Sequence, residues 1–298
     1  MKMNTPNYFR YIIYVGSVLL LGLWACEERM DINTEASPPR LVIYGSITTD
    51  TTQHAIRITR SAGYFSTSKP EGISRASVSI RHEGGTFALE ESPGEPGLYL
   101  TSPNVSGIEG ETYTLHVALD FDGNGETEEF EATSGLPFAS RLDSVAVQPF
   151  IAFDNFLQVV IWGHLPESGD GHNYFSFHLY RNNVLVNDSL RGFSTGNDDF
   201  IAGNEITAFP VFFLNQERDQ YKLSPGDTVT IQVESITREY ASFIENARSE
   251  SFGSIPIFSG PPANVETNIR SQSPTSTVAI SGFFTAYSKS RMAMIYRE

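Results

Sequence analysis

From residue 40 to residue 137 apolar and polar side chains alternate in short runs, and a turn signal closes each run. In "ETYTLHVALD" the alternating apolar positions are Tyr113, Leu115, Val117 and Leu119. In "ASVSIRHE", Val78 and Ile80 face one way and Ser77, Ser79 and Arg81 the other. "HAIRITRS" alternates as well, "LVIYGSIT" is β-branched and aromatic, and "SPGEPG" separates "TFALEES" from "GLYLTS". A period of two over runs this short is the mark of half-buried strands. Strands so closely spaced build a sandwich or a barrel.

The chain of 298 residues holds one cysteine, so no intrachain disulfide can staple it. Its core must do that alone, and 12% aromatic residues, with 21 Phe and 13 Tyr, supply the bulk. Residues 40–137 suit one immunoglobulin- or transthyretin-like sandwich. "LPFASRLDSVAVQP" reads as a crossing segment, with prolines at 137 and 149. Beyond it "FLQVVIWGHL" and "AFPVFFL" read as strands, and "HNYFSFHLYRNNVLVND" as a hairpin turning at "RNN". "GETYTLHV" (110–117) and "GDTVTIQV" (226–233) echo each other as a Gly turn entering a strand. One amphipathic helix is expected near 236–250, with Ile236, Tyr240, Phe243, Ile244 and Ala247 on its apolar face. The fold class expected is mainly β, with two β-sandwich-like domains, 40–137 and 138–298, and that helix in the second.

The N-terminus is organised differently. Lys2 and Arg10 precede an uncharged apolar run, residues 11–25, too short for a comfortable span of about 20 apolar residues. A basic start, a short apolar stretch and a small residue, Ala25, describe a secretory signal peptide over residues 1–25. Leu23-Trp24-Ala25-Cys26 resembles the bacterial lipobox, although Trp24 replaces the usual small residue. That resemblance implies cleavage before Cys26 and a lipid on its thiol. A lone buried thiol and an uncleaved anchor are the competing readings. Residues 26–39, polar and Pro-ended, read as a flexible tether. Cleavage removes Lys2 and Arg10 and takes the formal charge from -15 to -15 - 2 = -17. Such acidity speaks against nucleic acid as a partner.

Chemistry-bearing motifs are few. Asp120, Asp122, Asn124, Gly125 and Glu131 in "DFDGNGETEEFE" satisfy the calcium-loop pattern D-x-[DN]-x-[DN]-G-x5-E, with Glu126 and Glu128 as further ligands. Alternate oxygen donors around a Gly turn can wrap one calcium ion. Strands flank this loop, not helices, and Asn124-Gly125 is itself a hairpin signal. The one cofactor the sequence admits is therefore a structural calcium. "GFSTG" (192–196) fits G-x-S-x-G, but loop-like sequence follows where the nucleophile elbow needs a helix. The six histidines, His54, His82, His116, His164, His172 and His178, form no metal-binding spacing. Trp162, Tyr174, Tyr180, Phe209, Phe212 and Phe213 read as core, with a glycan-stacking groove as the alternative. No nucleophile–base–orienter set is visible, so the expectation is a protein without catalytic activity.

The lipobox, "PRLVIYGSITTD", "GISRASVSIRHEGG", "GLYLTSPNVSGIEGETYTLHVAL" and "PPANVETNIRSQSPTSTVAISGFFTAYS" occur in an order that resembles the Bacteroidetes lipoproteins called domain of unknown function 4249. The resemblance covers nearly the whole chain after Cys26 and is weakest over 140–220. It implies an outer-membrane lipoprotein with a β-rich N-terminal domain, in the company of a TonB-dependent receptor. It carries over no catalytic residue. Glu27 and Glu28, just after Cys26, resemble the surface-export signal of that lineage, which implies the outer face of the outer membrane. The expectation is a lipid-anchored accessory protein that assists a TonB-dependent transporter; a surface module binding carbohydrate or peptide alone is the alternative.

Overall fold

The computed structural model describes residues 38–62, 69–151, 157–164, 172–189, 192, 194–198, 208–251, 265–273 and 276–297. The chain divides into two units, Met1–Ser37 and Pro38–Glu298, and every described residue belongs to the second. The expected signal segment, Cys26 and residues 26–37 of the expected tether lie outside the described residues.

The first core is built from β1 (Leu41–Thr48), β2 (Ala55–Arg60), β3 (Glu71–Gly72), β4 (Ser77–His82), β5 (Gly85–Glu91), β6 (Leu98–Leu100), β7 (Thr112–Leu119) and β8 (Glu128–Gly135). Alternation sets their burial as expected: Tyr113, Leu115, Val117 and Leu119 of β7 are all buried. The sheet folds over through β5, which pairs with β4 along 85–89 and with β6 at 90–91. The two layers close on Ile43, Ile56, Ile80, Leu115 and Phe130. Each such side chain contributes about 1.5–3 kcal/mol by leaving water.

The remaining strands are β9 (Ser144–Ile151), β10 (Leu157–His164), β11 (Tyr174–Arg181), β12 (Val184–Leu185), β13 (Ser194–Asn197), β14 (Ala208–Asn215), β15 (Thr228–Ile236), β16 (Arg270–Ser271) and β17 (Ile280–Ile295). A three-stranded sheet in the order β14-β10-β9 packs on β11 and β15 to form a second core, with Val159, Ile161, Phe175, Phe177 and Ile231 inside it. The segment expected to be a crossing therefore contains strand β9. Its Pro149 is tolerated because β9 lies at a sheet edge, where a missing N–H breaks no ladder. Pro210 of β14 likewise sits at a register shift opposite Trp162. The "RNN" hairpin forms as expected, with Asn182 (φ 51°) and Asn183 (φ 67°) in the left-handed region that Asn tolerates.

Strand β17 ties these parts together. Its first half pairs in parallel with β1, Leu41 against Ile280 through Thr48 against Tyr287. Its second half pairs antiparallel with β15, Thr228 against Ile295 through Ser235 against Ser288. Phe284 and Ala286 enter the first core, while Met292 and Met294 pack against the second. The free edge of the first half is met by side chains. Asn268 donates its Nδ2 to the Phe284 carbonyl (2.7 Å) and accepts the Phe284 N–H (3.0 Å), and Ser134 Oγ accepts the Ala286 N–H (2.9 Å). Gly282 has φ of +100°, and a Cβ there would overlap the Ile43 carbonyl oxygen, so this close approach admits only glycine. The regions expected as two domains thus keep separate cores and share one strand.

Helix α1 (Arg238–Ser251) begins two residues later than expected, because Ile236 is still the last residue of β15. Thr237 caps it: its Oγ1 accepts the Tyr240 N–H (3.2 Å) and its carbonyl accepts the Ala241 N–H (3.0 Å). Tyr240, Ala241 and Ile244 pack onto the sheet face turned away from both cores, against Ile236 and Phe283. Among the described residues no helix is long and apolar enough to cross a membrane, which says nothing about a β-barrel.

Candidate functional site

The acidic loop between β7 and β8 is a self-capping turn. Asp120 Oδ1 accepts the N–H groups of Gly123 (2.7 Å) and Asn124 (3.1 Å), and Oδ2 accepts that of Gly125 (2.9 Å). Asn124 Oδ1 accepts the Glu126 N–H (2.7 Å). Gly123 and Gly125, at φ of +71° and +86°, allow that tight path. The other expected ligands are drawn elsewhere. Glu128 accepts from the Phe121 N–H (3.3 Å) and from Ser276 Oγ (3.2 Å), and Glu131 pairs with Arg81 on β4 (2.9 Å). Asp122 has no contact that joins it to them. Among the described residues no group of three or more His, Cys, Asp or Glu stands close enough to hold a metal ion. As placed, these residues do not form a cage for calcium.

The other sequence candidates are dispersed. Ser194 begins β13, donates to the Val211 carbonyl (3.4 Å), and continues as strand to Asn197 where the nucleophile elbow needs a helix. His54 meets the Val105 carbonyl, His82 meets Glu111 (2.8 Å), His116 lies 3.6 Å from Glu129, and His178 meets Glu234 (3.1 Å). These pairs stand in different parts of the sheet. Of the aromatic set, Phe212 is in the second core and Phe209 packs against it, Tyr174 packs against the helix cluster, Tyr180 lies under Arg291, and Phe213 points outward at 58% exposure. Among the described residues they line no common groove.

A cleft of about 380 Å³ does open beside α1. Arg238, Glu239, Ser242 and Asn246 of the helix form one wall, Glu266 and Arg270 the other, and Phe243 and Phe283 lie between them. The two phenylalanine rings are tilted at 37° with centroids 4.8 Å apart. Behind them stands a tyrosine cluster. The Tyr44 and Tyr240 hydroxyls share a hydrogen bond of 2.9 Å, and Tyr240 stacks on Tyr287 at 6.4 Å. Burial pushes the Tyr44, Tyr240 and Tyr287 hydroxyls above the ordinary tyrosine value, and the Glu234 charge adds to it. These groups stay protonated and serve as a neutral, rigid backing for the cleft. Sequence periodicity placed Phe243 on the apolar face of the helix. The opposite wall was illegible, because residues 266–270 come to α1 through long-range contacts, the pairing of β16 with β8 and the Asn268 hydrogen bonds to Phe284.

No curated protein matches the chain. Among solved structures it is similar to part of the apo structure of Bacteroides uniformis beta-glucuronidase 3. The identity is 13% and the TM-score 0.22, over 67% of this chain. The chain spans 23% of that protein's length, and a likeness this faint carries no argument. The sequence family is clear by contrast. Residues 27–292 match a single family along their whole length, and the chain belongs to it: Domain of unknown function (DUF4249).

Proposed function

We propose that the chain is a lipid-anchored accessory protein of the outer membrane, facing the cell surface and without catalytic activity. It assists a TonB-dependent transporter in capturing or admitting a ligand. The join at Ala25–Cys26 carries this reading. Leu41, the first fully buried residue of the described fold, follows Cys26 by only 15 positions. A spacer of residues 27–40 reaches at most about 50 Å when fully extended. A body so tethered stays within reach of a membrane-embedded partner, and the high local concentration substitutes for a large permanent interface. Two or three acyl chains on Cys26 hold such a body stably, where one would not.

The test is recovery of the native lipoprotein in mild detergent. A TonB-dependent receptor in the same complex supports the reading, and a Cys26→Ala variant, freed from the membrane, should lose it. Membrane-bound protein that returns no receptor under these conditions sinks it. The cleft beside α1 favours a second reading, a surface module that binds its ligand alone.

A further inference from the structure

The cleft beside α1 has a composition that selects a ligand class. Arg238 and Glu239 stand on the helix wall, with Glu266 and Arg270 opposite. None of these four side chains makes an ion pair or hydrogen bond with another described residue, although both signs line the same cleft. Several arginines elsewhere are engaged: Arg57 with Glu95 (2.7 Å), Arg81 with Glu131 (2.9 Å), and Arg60 with the Phe121 carbonyl (2.7 Å). Within the cleft, Asn268 is spent on the Phe284 backbone and Thr267 on the Ile269 N–H. The uncommitted groups are therefore two guanidiniums, two carboxylates, Ser242 and Asn246, over a phenylalanine floor.

We infer that this cleft binds a short peptide with free termini and an apolar or aromatic side chain. A guanidinium offers a planar fork that fits the peptide carboxylate, and a glutamate accepts from the terminal ammonium. The side chain packs on Phe243 and Phe283 in an offset or tilted arrangement. A neutral sugar would offer none of these charges an ionic partner, whereas the two termini of a peptide engage two of them. The size agrees, since small-ligand sites run from about 300 to 1,000 Å³. The inference names the ligand for the capture role proposed above and depends on that role only for its setting.

Calorimetry on the full chain in mild detergent tests it, with the tripeptide Gly-Phe-Gly, its N-acetylated amide and maltotriose as probes. The free tripeptide should bind at least about tenfold tighter than the capped one, as loss of charge-assisted bonds implies. Glu266→Gln and Arg270→Gln, both at exposed positions, should each weaken the free tripeptide by about tenfold and leave the melting temperature unchanged. Equal affinity for free and capped peptide, no binding at millimolar concentration, or binding of maltotriose in its place would each overturn the inference. Receptor recovery is measured apart. A receptor captured without peptide binding removes this inference alone, and peptide binding without a receptor removes the transporter role alone.

Discussion

Asp120 shows how one side chain can carry a turn. Its carboxylate accepts three backbone N–H groups that would otherwise rely on water. Asp120→Ala should lower stability by about 1–2 kcal/mol, as loss of a helix-cap residue does. Urea unfolding reads that loss. Calcium and chelator should leave the melting temperature unchanged, since an ion that bound the folded loop would raise it. The motif was legible in the sequence; the pairing of its Glu131 with Arg81 was not, because Arg81 comes from β4. His54 gives the pH dependence. Burial lowers its pKa, against a smaller raising effect from the Val105 carbonyl it contacts, and Lys289 nearby lowers it further. The unfolded imidazole therefore takes up its proton first as pH falls through about 6.5, and the folded state loses stability from there downward. Urea midpoints measured from pH 7.5 to pH 5 should show this acid limb, and His54→Gln should flatten it.

At the scale of an element, α1 is a cover for the sheet. Its face was readable from spacing alone, and Tyr240 and Ile244 are buried where that spacing puts them. Its start was misplaced by two residues, because Ile236 satisfies the helical period and the strand period equally. The Tyr44–Tyr240 hydroxyl pair joins the helix to β1, 196 positions away in sequence. A double-mutant cycle with Tyr44→Phe and Tyr240→Phe should give a coupling of about 0.5–1.5 kcal/mol. Purely additive losses would mean that water replaces the pair at no cost. Strand β17 was the largest element missed by periodicity. Its faces change partners along its 16 residues, from the first core to the second, and "SKSR" interrupts the apolar pattern at the changeover. Strand β9 was missed for a different reason: Pro149 argues against a strand in general and is harmless at an edge.

At the scale of the whole molecule, two cores hang on one strand. The mainly β class and the two sandwich-like layers followed from alternation and turn spacing. The shared strand did not, because a parallel pairing leaves no local signature. Gly282→Ala should test the coupling. It forces a Cβ into the Ile43 carbonyl and a strained φ, a loss of about 2 kcal/mol or more. That loss arises in the first core, and Trp162 lies by the second. Trp162 fluorescence, in a Trp24→Phe background, should nevertheless report the same lowered midpoint as circular dichroism. Two separated transitions would show that the cores unfold independently. The same strand also governs when folding can finish. Leu41 pairs with Ile280, so a chain emerging from a ribosome or threading a translocation channel presents β1 long before its partner exists. Until residues 280–295 arrive, Phe284 is missing from the first core and the second core lacks the strand that carries Met292 and Met294. Closure of both cores therefore waits for a strand at the far end of the sequence, and contacts of such separation are slow to form.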